Sequence, residues 1–217
     1  PPAERARRTI LSLVRRYDDR LPGPIGASLA DELARSIEAV DLSALPEGDR
    51  SAASLALELL RHGLALDTGD VPTAARARSA LESALGPNHP NVEVLDLRAR
   101  LAGRTDGRAS DEAVASARFH IDSCDELPER IRIIHATLES AGSPPEWLVE
   151  AHASIATEPL REDLAMQRRL CAQRWYWRGV LEPERRLSHW REAISRFRTA
   201  ECNSAASELL QRMTRLI

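Results

Sequence analysis

Six histidines, three cysteines and a pair of adjacent carboxylates are the residues of this 217-residue chain that could do acid–base, nucleophilic or metal chemistry. Their spacing argues against each. His62, His89, His120, His135, His152 and His189 are scattered. His135 and Glu139 stand at i,i+4, where one helix face would carry two metal ligands, yet a zinc site takes three or four. The expectation is no metal ligand. His89 reads as a turn residue that hydrogen-bonds locally. In "YDDR" (Tyr17 to Arg20) the carboxylates lie at a helix end next to Arg, where solvation and ion pairing are expected. A magnesium or catalytic pair needs matching acids elsewhere, and none stands out. Cys124, Cys171 and Cys202 form no CxxC pair and no disulfide framework, which suits a reducing cytoplasm. GxSxG, the P-loop, GxGxxG and HExxH are all missing from the sequence. The sequence predicts no catalytic residue, no cofactor and no enzyme.

The most unusual composition lies at "RWYWRG" (Arg174 to Gly179). Trp175, Trp177 and Trp190 fall in this C-terminal third with Tyr176 and Phe197, among Arg168, Arg169, Arg174, Arg178, Arg185, Arg186 and Arg191. Aromatics with arginine combine contact area and directed donors, as protein-binding hot spots do. The same mixture stacks bases and meets phosphates. It also suits a core with a solvated arginine face, because adjacent aromatics on a helix point different ways and at least one turns inward. Arg174, Trp175, Trp177, Arg178 and Trp190 are the candidate partner-binding residues, and Trp147 is read as core.

The elements that hold these residues are helices. Hydrophobic residues make up 43% of the chain and aromatics 4%, an Ala- and Leu-rich balance that favours close helix packing. All thirty basic residues are arginine, the mark of a GC-rich coding sequence, and the formal charge of -3 argues against a general polyanion binder. No apolar run approaches the ~18 residues of a membrane span, and no signal peptide is visible. The chain starts "PPAERARR" without Met, which suggests a processed piece whose flanking domain could hold the chemistry.

Apolar residues spaced by three and four predict eleven helices. They cover about Ala3–Tyr17, Ala27–Val40, Arg50–Leu66, Thr73–Leu85, Asn91–Ala102, Ser110–Ile121, Pro128–Ser140, Pro145–Thr157, Leu160–Arg178, Pro183–Arg198 and Asn203–Leu216. "LPGPIG", "LPEGD", "DTGDVP", "GRTDGRAS" and "AGSPPEW" punctuate them. Gly86 is the expected C-cap of the fourth helix and Asn91 the N-cap of the fifth. Pairing gives hairpins that begin near Asp49, Asn91, Leu127 and Pro159, at the roughly 32- to 42-residue spacing of helical repeats. Stacked hairpins bury what one alone cannot, and they leave a concave surface for a partner segment.

The joint "LGPNHPN" (Leu85 to Asn91) resembles the "LGPDHPDT" joint between tetratricopeptide repeats of the kinesin-light-chain type. Gly69 stands at the turn within a repeat, and "LRARLAGRTDG" (Leu97 to Gly107) is similar to the first helix and turn of the next. The match runs roughly from Ser54 to Phe119. A large aromatic common in the second repeat helix is replaced near Arg78 and Ala117, so the family's peptide-carboxylate clamp is not carried over. "EPLREDLAMQRRL" (Glu158 to Leu170) is similar to a segment of the helical activator domain of some bacterial transcription regulators.

The expectation is an all-α, antiparallel helical-hairpin array, a tetratricopeptide-like α-solenoid with a C-terminal capping helix. Residues 1–48 would form an N-terminal helical pair packed on repeats spanning 49–217. The resemblance implies a cytoplasmic protein–protein interaction scaffold or sensor region of a bacterial signalling or regulatory protein. It would bind a partner peptide or helix in a concave groove, with a homodimer open and no direct role for nucleic acid or membrane. The alternative is the effector or dimerisation part of a transcription regulator acting near DNA.

Overall fold

The computed structural model describes residues 2–87, 89–105, 108–161 and 164–216, with the backbone alone at Pro90, Arg104, Thr105 and Arg108. Asn88 of the joint, Asp106 and Gly107 of the expected turn, and Glu162 and Asp163 of the expected ninth helix lie outside the described residues. The class is all-α: eleven α-helices appear among the described residues, with one two-residue β-hairpin. The chain divides into two compact units, one formed by residues up to 18 and 24–103, the other by 19–23 and residues from 104 onward.

The first unit holds α1 (Pro2–Asp18), α2 (Ala27–Glu38), α3 (Glu47–Thr68), α4 (Val71–Leu85) and α5 (Pro90–Ala102). Its core joins Ile10 and Leu13, Leu33 and Ile37, and Leu57, Leu60 and Leu64, each set at helical spacing, with Leu45 from the loop between. The N-terminal pair is therefore one body with α3, across the boundary expected near residue 48. Tyr17 lies against Gly63, where a Cβ would stand 2.6 Å from its hydroxyl, and that hydroxyl donates to Asp67 (2.8 Å). Gly69 ends α3 at φ 76°, a left-handed conformation glycine adopts without steric cost. Gly86 ends α4 at φ 95°, as the sequence predicts. The cap of α5 differs: His89 holds it, its Nδ1 accepting the Asn91 N–H at 3.2 Å. Asn91 is already inside the helix, because Pro90 occupies the first position, where a missing N–H costs nothing. His89 is thus the locally bonded turn residue the sequence suggests. Arg78 bridges α4 to α5 through Asp96 (Nη2 to Oδ2, 3.0 Å).

The second unit begins with β1 (Arg104–Thr105) paired antiparallel to β2 (Arg108–Ala109), Arg104 opposite Ala109. It continues with α6 (Asp111–Ser123), α7 (Leu127–Ser140), α8 (Glu146–Ile155), α9 (Ala165–Leu181), α10 (Arg186–Thr199) and α11 (Asn203–Thr214). The hairpin expected from Asn91 is divided: α5 packs on α3 and α4, whereas α6 packs on α7. The reason is local, since a β ladder replaces the helix-to-helix turn. The other expected pairs, α3 with α4, α7 with α8 and α9 with α10, do pack together. The ninth helix starts at Ala165, not near Leu160; ahead of it the Gln167 side chain takes the Arg161 N–H (2.6 Å) and the Leu164 N–H donates to the Arg161 carbonyl (3.1 Å). Asp19 caps α11: its carboxylate accepts the N–H groups of Ser204 (2.9 Å) and Ala205 (3.2 Å) and the Ser204 hydroxyl (2.8 Å). This corrects the expectation that it is merely solvated and ion-paired.

Candidate functional site

The five candidate residues separate by depth. Arg174, Trp177 and Trp190 are only 6%, 7% and 7% exposed, too little for a partner to touch. Arg174 donates from Nη1 to the carbonyls of Ile155 and Glu158 (2.5 and 2.8 Å), at and beyond the end of α8. The Ile155 carbonyl also accepts the Glu158 N–H (3.3 Å), and losing the arginine from these two acceptors would cost on the order of 1–3 kcal/mol in all, so this arginine ties α9 to the chain before it. Trp190 crosses from α10 into a notch at Gly179, where a Cβ would lie 2.2 Å from its ring. Its Nε1 donates to the Tyr176 carbonyl (3.1 Å), and its ring stacks on Tyr176 with centroids 6.1 Å apart and planes 6° from parallel. Burial raises the Tyr176 phenol above its ordinary pKa, and the nearby Arg212 guanidinium opposes this. Trp190 thus joins α10 to α9, Arg174 and Trp177 face the elements before α9, and all three are withdrawn as partner contacts.

Trp175 and Arg178 remain at the surface, each half-buried. The Arg178 guanidinium lies 4.6 Å from the Trp175 ring centre, and the Arg196 guanidinium of α10 lies 5.9 Å from it. The His189 ring stands 5.5 Å from the same indole. Glu182, just after α9, meets His189 Nε2 at 2.9 Å and Arg178 Nε at 3.5 Å. The His189 hydrogen bond is the main cause that lowers the Glu182 pKa. Arg196 also reaches Cys171 Sγ (3.3 Å). The result is an aromatic plate whose neighbouring cations are fixed by Glu182 for Arg178, and by Glu192 (2.7 Å) and the Cys171 thiol for Arg196. Each cation–π contact contributes about 0.5–1 kcal/mol at such an exposure. On the outer face of α10, Leu187, Ser188, Arg191, Ser195 and Arg198 are exposed. Such a surface can hold an acidic or planar group, and beside it stands the carboxylate–imidazole pair of Glu182 and the buried His189.

Sequence reasoning missed a second cluster, under α7, α8 and α9. The buried rings of His135 and His152 lie 5.8 Å apart, and Trp177 lies 6.3 Å from His135. Burial is the main cause that depresses both imidazoles, with neighbouring arginines adding to it; His152 falls to about 4. The signal was present: His152 follows Leu148 by four and precedes Ile155 by three, and His135 follows Ile131 by four, all core positions. No three His, Cys, Asp or Glu side chains among the described residues are placed to hold a metal ion. No helix of the described residues is long and apolar enough to cross a membrane. Compared with known proteins, the chain matches no family model, no curated sequence and no solved structure.

Proposed function

We propose that the chain is a cytoplasmic protein-interaction module, a divergent helical-repeat region of a bacterial signalling or regulatory protein that docks a partner peptide or helix. The observation that carries the reading is the Trp175 plate with Arg178 held 4.6 Å above it. An ordered arginine on a half-exposed indole is preorganised, so a partner carboxylate or aromatic meets it with little rotamer entropy to lose. Tetratricopeptide-like stacking of hairpins belongs to this proposal, as does the resemblance of residues 85–91 to the repeat joint. The test is capture from lysate with and without nuclease, comparing wild type with Trp175→Ala/Arg178→Ala. A discrete protein that survives nuclease and is lost from the double variant supports the reading. Equal capture by both forms contradicts it.

A second reading draws on the charge of the C-terminal segment. Residues 164–217 carry eleven arginines against five carboxylates, within a chain of net charge -3. That local excess suits a regulator's helical part working beside DNA. Capture abolished by nuclease, and binding that falls steeply with salt as counterions are released, would favour it.

A further inference from the structure

The three helices α7, α8 and α9 meet at rings. His135 projects from α7, His152 from α8 and Trp177 from α9, with His135 6% and His152 2% exposed. Both nitrogens of His135, Nε2 of His152 and Nε1 of Trp177 are buried without a hydrogen-bond partner. The Gln173 side chain of α9 acts on the His135 ring in the sense that favours its charged form. A neutral imidazole tolerates this setting. An imidazolium there brings a full charge into an apolar contact, and desolvation opposes that strongly.

The surroundings offer such a charge little relief: Gln173 favours the charged form of His135 and Glu182 that of His152, and burial outweighs both. From α9, Arg169 and Arg174 act on His135, and Arg174 and Arg178 act on His152. Each ring is also the other's neighbour across the α7–α8 contact. The carboxylate nearest to helping is Glu182, and it already serves His189 and Arg178. On α7 itself, Glu139 lies one turn beyond His135, and its Oε1 accepts the Gly23 N–H (2.7 Å). From α6, which packs on α7, Arg118 is placed over Trp147 at 5.6 Å. Protonation of either ring therefore adds a cation to a group of cations, and separation of the helices is the way to hydrate it.

We infer that the His135–His152 pair is an acid-operated latch, whose protonation releases α7 and α8 from α9 and uncovers the Trp177 face. At neutral pH the rings are uncharged and the latch is shut. As pH falls below the ordinary imidazole pKa the open form gains protons that the closed form cannot, so opening becomes progressively easier. With His152 held at about 4 against 6.5, opening gains roughly fiftyfold between pH 7 and 4.5 from that ring alone. The second ring multiplies this.

Hydrogen exchange of the full chain, corrected for intrinsic rates, tests it at pH 7 and 4.5. Wild-type amides of α7, α8 and α9 are expected to lose roughly fiftyfold or more of their protection, and those of His135→Leu/His152→Leu less than threefold. Wild-type protection that holds within threefold overturns the latch, as does an equal loss in the double variant. Should the double variant not fold, the histidine ring resonances of wild type decide. Both rings protonating in step with the loss of protection sustains the latch. Either ring protonating while α7–α9 stay protected overturns it.

Discussion

Replacing Gly179 by alanine puts a methyl group where the Trp190 indole lies. The new Cβ would be 2.2 Å from Cδ1 and 2.4 Å from Nε1, against about 3.5–4.0 Å for an ordinary carbon contact. The ring must retreat by more than about 1 Å. It has little room, being 7% exposed and stacked on Tyr176. Retreat also breaks the Nε1 bond to the Tyr176 carbonyl. Overpacking of this kind costs about 1–3 kcal/mol, and an orphaned buried donor about 1–3 kcal/mol more. The better helix propensity of alanine returns about 1 kcal/mol. A net loss of about 3 kcal/mol is expected. Urea unfolding of the full chain, followed by tryptophan fluorescence, measures it. Gly48→Ala is the control: nothing lies within 4 Å of its notional Cβ, so that variant should match wild type or exceed it by up to about 1 kcal/mol. A Gly179→Ala midpoint within about 0.5 kcal/mol of wild type would refute the notch, since surface substitutions stay in that range.

Other outcomes follow from named contacts. Arg174→Met removes the donor to the Ile155 and Glu158 carbonyls and should lower stability by about 1–3 kcal/mol, read by the same urea titration. Asp19→Ala uncaps α11 and should cost about 1–2 kcal/mol, with faster amide exchange in residues 203–206 as the local readout. His62, 1% exposed in the first unit, is depressed to about 4, chiefly by burial and then by Arg98 and Arg78, with Asp96 opposing. Its folded pKa lies below the unfolded one, so its stabilisation is full above about 6.5 and is lost as pH falls toward about 4. The loss reaches up to about 3 kcal/mol and should be absent from the α3–α5 amide exchange of His62→Leu.

Most helix limits were readable because glycine and proline act locally. Gly69 and Gly86 stop α3 and α4 through backbone conformations that side chains disfavour, and that information sits at one position. The α5 cap was misplaced by two residues, since His89 and Asn91 are both competent acceptors and only Pro90 between them decides. The role of Asp19 was invisible, because its partners Ser204 and Ala205 lie 185 and 186 residues away. Arg174 misleads for a physical reason: composition treats arginine as solvated, whereas the Ile155 and Glu158 carbonyls, at and beyond the end of α8, accept from its buried guanidinium. Trp175 and Arg178, one turn apart on α9, were legible as a surface pair. The same spacing logic could have found His135 and His152 on the apolar faces of α7 and α8, but not that the two faces meet.

The C-terminal third divides into a buried tie at Arg174 and a half-exposed plate at Trp175 and Arg178. Measuring partner capture and urea midpoint together, for Trp175→Ala/Arg178→Ala and for Arg174→Met, tests this division most directly. The first variant is expected to lose the partner while its stability stays within about 1–2 kcal/mol of wild type, and the second to lose stability and keep the partner in proportion to the folded fraction. Full capture by the folded Trp175→Ala/Arg178→Ala variant would contradict this division.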